Sequence, residues 1–143
     1  MVIQGDFLFY ENVLMSYVGY GTTELILPND INGEKYTIST EAFYGENVIG
    51  WAPSKEICYY EYPLYHPTIN VTKVVIPSFI EEIPDLAFAG CKNIEEVHIT
   101  TNTKLYGTNC FGGAKIKKVY VIGSESEFAM PFEFVGAEII YSE

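Results

Sequence analysis

The sequence predicts a β-rich α/β repeat fold, a solenoid of about five coils of 22–24 residues stacked around a short parallel sheet. The first observation is a spacing: Asn47, Asn70 and Asn93 are evenly spaced and open the similar segments NVIGWAP, NVTKVVIP and NIEEVHIT. The second is composition, because 143 residues that are 48% apolar are enough for one folded domain. A repeat unit this short cannot enclose a core alone, so stacked units must bury their apolar side chains together.

Each unit combines a short strand with a turn that carries a phenylalanine. Apolar residues alternate at Val97 and Ile99, and again at Val119 and Val121, as in a strand with one buried face. The phenylalanines are Phe43, Phe88, Phe111 and Phe134. The last three are spaced like the asparagines, whereas the first precedes the second by nearly twice that interval. We interpret the longer interval as two periods with one degenerate unit, residues 46–69, between them.

Two parts of the chain resemble the repeat unit of the BspA-like leucine-rich-repeat family. Residues 75–91, VIPSFIEEIPDLAFAGC, fit that unit nearly throughout, and residues 25–28 with 42–45 fit it around an insertion. The resemblance implies a right-handed superhelix with a parallel sheet on one side and turns or short helical pieces on the other. For function, it implies a scaffold that recognises a protein or a glycan without catalysis.

The N-terminal segment resembles the capping hairpin that precedes the first repeat in this family. Residues 6–17, DFLFYENVLMSY, would form that hairpin and cover the first edge of the sheet. We therefore divide a single domain, residues 1–143, into a cap at 1–23 and repeats at 24–141.

Charge excludes several classes of partner. Nineteen acidic residues oppose eight lysines and no arginine, which gives a formal charge of -11. Nucleic acids and anionic membrane surfaces attract cationic proteins, so neither is an expected partner.

The sequence shows no cofactor motif and no metal motif. Its three cysteines, Cys58, Cys91 and Cys110, lack the spacing of a zinc site or a disulfide framework. Cys91 and Cys110 occupy core positions of the repeat and are interpreted as small buried hydrophobic residues. We expect neither a cofactor nor a metal.

The first residues lack the basic and then apolar pattern of a secretory signal, and no apolar run reaches membrane-spanning length. We therefore expect a cytoplasmic location for the chain as given, and a cell-surface or secreted location if a signal segment has been removed.

Strand alternation predicts two rows of outward side chains. If the valines of each strand point inward, Lys73, Glu96 and Lys118 form one outward row of alternating charge. The neighbouring row is mostly apolar and consists of Ile26, Ala52, Val75, His98 and Tyr120.

The apolar row has two interpretations of equal weight. An apolar stripe with a charged rim suits contact with a protein, whereas the ordinary preference for β-formers at half-exposed strand positions explains it without any partner. We predict a contact surface formed by Val75, Glu96, His98 and Tyr120.

Residues 58–67, CYYEYPLYHP, are rich in aromatic side chains. Tyr59, Tyr60, Tyr62 and Tyr65 form a second predicted binding patch, although packing inside the degenerate unit is the favoured explanation. Cys58 and His66 supply a thiol and a base, but no third group orients the imidazole, which argues against catalysis.

The prediction is a non-catalytic recognition module that binds a protein, or a glycan, through the outward face of the repeat sheet. One alternative is a small carbohydrate-active β-solenoid enzyme, which would need two carboxylates converging at roughly 5 to 10 Å. The other is a structural protein that self-associates as a homo-oligomer through its C-terminal edge, residues 138–141.

Overall fold

The computed structural model describes residues 2–19, 21–43 and 68–143. These residues form eleven short strands and two single turns of 3₁₀ helix, Glu125–Glu127 and Phe132–Phe134. The strands are β1 (Val2–Gln4), β2 (Phe7–Tyr10), β3 (Val13–Tyr17), β4 (Glu24–Ile26), β5 (Thr37–Ile38), β6 (Lys73–Val75), β7 (Glu82–Ile83), β8 (Glu96–Thr100), β9 (Leu105–Tyr106), β10 (Lys118–Ile122) and β11 (Glu138–Ser142).

One sheet contains five parallel strands in the order β11-β10-β8-β6-β4. Inward side chains of the strands before β11 are buried, as Val74, Val97 and Val119 show with no exposed surface. The turns lie on the other side of the core. This arrangement confirms the predicted β-rich solenoid of about five coils, because each strand begins a coil that stacks on the next.

A column of stacked phenylalanines fills the core on the turn side. Phe43, Phe88, Phe111 and Phe134 are all fully buried. Ring centroids are 5.1 Å apart for the first pair, 5.5 Å for the second and 5.3 Å for the third. The even spacing of the last three therefore places them at equivalent points of consecutive coils, as predicted.

The predicted degenerate coil between the first and second phenylalanine is wrong. Leu25 of β4 lies directly beside Val74 of β6, and Phe43 stacks directly on Phe88. The carbonyl of Phe43 also accepts the backbone N–H of Gly90 at 3.0 Å. Most of the stretch 46–69 lies outside the described residues, but no coil separates β4 from β6, so this stretch connects two coils that are already neighbours.

The N-terminal strands form an antiparallel sheet whose inward side chains, Phe9 and Leu14, are fully buried. Its strand β3 also pairs in parallel with β5, where Val13 lies beside Thr37. Among the described residues, β4 pairs only with β6. The hairpin therefore extends the turn side of the first coil, whereas we had expected it along the edge of the parallel sheet.

Candidate functional site

The outward face of the parallel sheet carries a straight row of side chains from one edge to the other. In-register pairing aligns five residues, called here the outer row: Ile26, Val75, His98, Tyr120 and Ile140. Parallel strands lie about 4.8 Å apart, so neighbouring members of the row are in contact distance. The predicted alignment of Val75, His98 and Tyr120 is confirmed.

The outer row differs from the predicted row at two positions. Ala52, which lies outside the described residues, is not a member between Ile26 and Val75, because these two residues are directly paired. Ile140 extends the row beyond Tyr120. Ile140 was not predicted as a member, because the interval from Tyr120 to Ile140 is shorter than the repeat period.

A row of alternating charge runs beside the outer row, at the start of each strand. This charged row consists of Glu24, Lys73, Glu96, Lys118 and Glu138. Its three central members confirm the predicted alignment. Lys73 Nζ lies 3.9 Å from Glu24 Oε1 and 3.8 Å from Glu96 Oε2, so unlike charges face each other across the strands.

His98 links the two rows. Its Nε2 is 2.6 Å from Glu96 Oε2, and because an ionised carboxylate only accepts hydrogen bonds, Nε2 carries the proton in this contact. The imidazole stacks on the ring of Tyr120 with centroids 4.6 Å apart and planes 17° from parallel. About a third of each side chain, 32% for His98 and 33% for Glu96, is exposed. The stacked pair is a fixed, flat and partly exposed aromatic surface.

The structure brings together four of the predicted site residues, Val75, Glu96, His98 and Tyr120, on one face of the sheet. The other four lie outside the described residues and stay a prediction: Tyr59, Tyr60, Tyr62 and Tyr65. Cys58 and His66 also lie outside that part of the chain.

The two described cysteines are buried, as the repeat pattern predicted. Burial raises the pKa of the Cys91 thiol to about 12, and burial followed by the nearby Glu133 carboxylate raises the pKa of the Cys110 thiol further still. Both thiols are therefore neutral and poor nucleophiles. The contact between Cys110 Sγ and Glu133 Oε1, 3.3 Å long, had no signal in the sequence.

Other side chains that could take part in a reaction are spread over the surface. The acids Glu81, Glu82 and Glu95 are exposed, and Glu95 Oε1 contacts Lys117 Nζ at 3.3 Å. In the part of the chain that the structure describes, no group of three or more His, Cys, Asp or Glu side chains could hold a metal ion. Within the same residues, no helix has the length and apolarity needed to cross a bilayer.

A groove of about 530 Å³ lies on the turn side, between β5 and β7. On the next pair of coils, the backbone N–H of Gly107 donates to the carbonyl of Ile83 at 2.8 Å. The equivalent residue one coil earlier is Pro84, which has no N–H and cannot donate to the carbonyl of Ile38. Pro84 therefore removes one hydrogen bond from the ladder that β5 and β7, although they are neighbours, do not form. The walls of the groove include Tyr36, Phe79 and Leu105.

Comparison with known families agrees with this repeat geometry. The family model described as "BspA type Leucine rich repeat region (6 copies)" matches residues 17–130. The chain belongs to this family. In this BspA-type leucine-rich-repeat protein, the matched range begins in β3 and contains β4 to β10, whereas β11 lies beyond it. No curated protein and no solved structure matches the chain.

Proposed function

We propose that this BspA-type leucine-rich-repeat protein is a non-catalytic recognition module that binds a protein partner through the outward face of its parallel sheet. The contact surface is the outer row together with Glu96 and Lys73. The observation that carries the proposal is the stacked pair of His98 and Tyr120, held by Glu96 at the centre of a row that is otherwise apolar.

The physical argument starts from the rigidity of this surface. Each member of the outer row is fixed by a strand that is hydrogen-bonded to its neighbours, so little side-chain or backbone freedom is lost on binding. Aromatic rings supply a large contact area with few rotatable bonds, and they are common at the centres of protein interfaces. Exposed isoleucine at Ile26, with 56% of its surface accessible, adds apolar area at one end.

The charge of this chain indicates which surface the partner should present. The whole chain has a formal charge of -11, and the charged row alternates along its length. The partner should therefore present an apolar strip beside alternating charges, on a surface that is basic overall. Complementary charge of this kind increases the association rate and makes it dependent on ionic strength.

The experiment compares capture of partners from a cell extract by three forms of the protein. The site variant carries Val75→Glu, His98→Ala and Tyr120→Ala. The control carries Leu105→Glu, Glu82→Ala and Thr108→Ala, which also place one glutamate and two alanines, here at exposed positions of the turn side. Circular dichroism and thermal unfolding establish that both variants fold.

The proposal expects that the wild type and the control retain the same protein, and that the site variant loses it. The dissociation constant measured with that protein should rise at least about 100-fold in the site variant, because central interface residues contribute about 2 kcal/mol or more each. Equal capture by the site variant would refute the proposed face. Hydrolysis of a glycan that depends on one carboxylate would refute the non-catalytic role.

A further inference from the structure

Among the described residues, β11 is an edge strand of the parallel sheet, and its outer side is unpaired. Glu138 donates its N–H to the carbonyl of Lys117 at 2.9 Å, and the carbonyl of Ser142 accepts the N–H of Gly123 at 2.7 Å. Alternate residues of a strand direct their N–H and C=O groups to opposite sides. The backbone groups of Ile139 and Tyr141 therefore point away from β10, where no described strand covers them.

The turn side differs, because the N–H of Phe134 donates within its own turn, to the carbonyl of Pro131 at 3.1 Å, whereas the earlier phenylalanines donate to the following coil. The N–H of Phe43 donates to the carbonyl of Ala87, and that of Phe88 to the carbonyl of Cys110, each at 2.7 Å. At Phe111 the acceptor is instead the side-chain carboxylate of Glu133, at 3.1 and 3.3 Å. Among the described residues, the coil of β11 therefore has its unpaired backbone groups on the sheet side.

We propose that two copies of this chain associate by antiparallel pairing of their β11 strands about a two-fold axis at Ile140. In this register Ile139 lies opposite Tyr141 of the second copy, and the reverse. Their outward N–H and C=O groups form the hydrogen-bonded pairs of an antiparallel ladder, while the two copies of Ile140 meet on the axis. The two parallel sheets become one continuous sheet, and the two outer rows become a single row.

Apolar surface also favours this pairing. Ile139 and Tyr141 face the core but remain only partly buried, because no described coil lies beyond them. Pairing with a second β11 would cover both. Unpaired edge strands with apolar residues are sites at which sheets associate.

Charge selects the two-fold arrangement over head-to-tail stacking. If β11 of one copy paired in parallel with β4 of the next, the charged row would continue across the contact and place Glu138 beside Glu24. Like charges on directly paired strands are unfavourable. In the two-fold arrangement Glu138 lies opposite Ser142, which is uncharged.

Matched substitutions at the two ends of the outer row test the proposal. Ile140→Lys places two lysines on the two-fold axis, whereas Ile26→Lys makes the same change on β4, at the opposite edge of the sheet. Sedimentation velocity over a range of concentrations measures the mass of each form at physiological ionic strength. Far-ultraviolet circular dichroism verifies that each variant is folded.

The proposal expects that the wild type and Ile26→Lys reach twice the monomer mass of 16.1 kDa, while Ile140→Lys stays monomeric. A mixture of Ile140→Lys with Ile140→Glu should again reach the dimer mass, because opposite charges then meet on the axis. A wild type that is monomeric at several hundred micromolar overturns the proposal. Loss of association in Ile26→Lys overturns the two-fold geometry in favour of head-to-tail stacking. The binding role proposed for His98 and Tyr120 does not depend on either outcome.

Discussion

The side chain of Glu133 accepts the backbone N–H of Phe111 at the point where, in each earlier coil, a backbone carbonyl of the following coil accepts. One carboxylate thereby takes the place of the backbone carbonyl that links earlier coils at this point. It also lies 3.3 Å from the thiol of Cys110. Glu133 therefore links its own coil to the coil of Phe111 through a side chain.

Glu133→Ala should reduce the free energy of unfolding by about 1 to 3 kcal/mol, because the N–H of Phe111 and the thiol of Cys110 lose their acceptor. Glu133→Gln keeps an amide oxygen in place and should lose less. Urea denaturation measures both values, and Glu127→Ala, at an exposed position of the same coil, is the control. Equal stability of Glu133→Ala and the control would show that the contact of the carboxylate with Phe111 and Cys110 does not stabilise the fold.

Phe88→Ala should reduce the free energy of unfolding more than Glu133→Ala does. Phe88 lies between two stacked rings and has no exposed surface. A buried phenylalanine replaced by alanine costs about 3 to 5 kcal/mol, through lost burial and the cavity that remains. Phe132→Ala removes the same side chain from a position that is 87% exposed and should change stability by about 0.5 kcal/mol or less. Similar losses for the two variants would contradict the phenylalanine column.

Residues 44–67 should be replaceable by a short flexible linker. Both ends of this stretch meet the same residue, since the carbonyl of Phe43 accepts the N–H of Gly90 at 3.0 Å and Thr68 Oγ1 donates to the carbonyl of Gly90 at 3.4 Å. About six Gly and Ser residues, which reach up to about 20 Å, suffice to join them. The shortened chain should keep its strand signal in circular dichroism and one cooperative unfolding transition. An unfolded product would mean that the removed stretch forms part of the stack.

Stability should fall at alkaline pH, in part through Cys91. Burial raises the pKa of this thiol to about 12 from a reference value of 9.0, so the unfolded chain releases the proton first. The neutral thiol contributes fully to the free energy of unfolding below pH 9. This contribution falls by about 1 kcal/mol per pH unit as the pH rises from 9 towards 12. Denaturation of the wild type and Cys91→Ala under reducing conditions measures this, and the stability difference between them should shrink above pH 9. A constant difference up to pH 11 would contradict the assignment.

Regular spacing made part of this structure predictable. Lys73, Glu96 and Lys118 follow one another at nearly equal intervals, and strand alternation is enough to place them in one outward row. The prediction failed where the spacing changed. The interval from Phe43 to Val74 exceeds the equivalent interval from Phe88 to Val97 by nearly one repeat period. An insertion of that length between adjacent coils therefore has the same spacing in the sequence as an additional coil.

Other features depend on contacts that periodicity does not encode. The stacking of His98 on Tyr120 follows from their register, but the hydrogen bond from His98 to Glu96 depends on side-chain rotamers. The link that Glu133 makes depends on its side chain reaching the backbone of Phe111 in the preceding coil. A single sequence contains no pattern that identifies either contact.

The outer row is continuous from Ile26 to Ile140, with β4 directly beside β6. Nuclear Overhauser effects between backbone protons of adjacent strands measure this arrangement in solution. We expect cross-strand contacts between Leu25 and Val74, between Val74 and Val97, and between Val119 and Ile139. Contacts of Leu25 with residues 47–53, in place of Val74, would contradict it, because a coil would then separate β4 from β6.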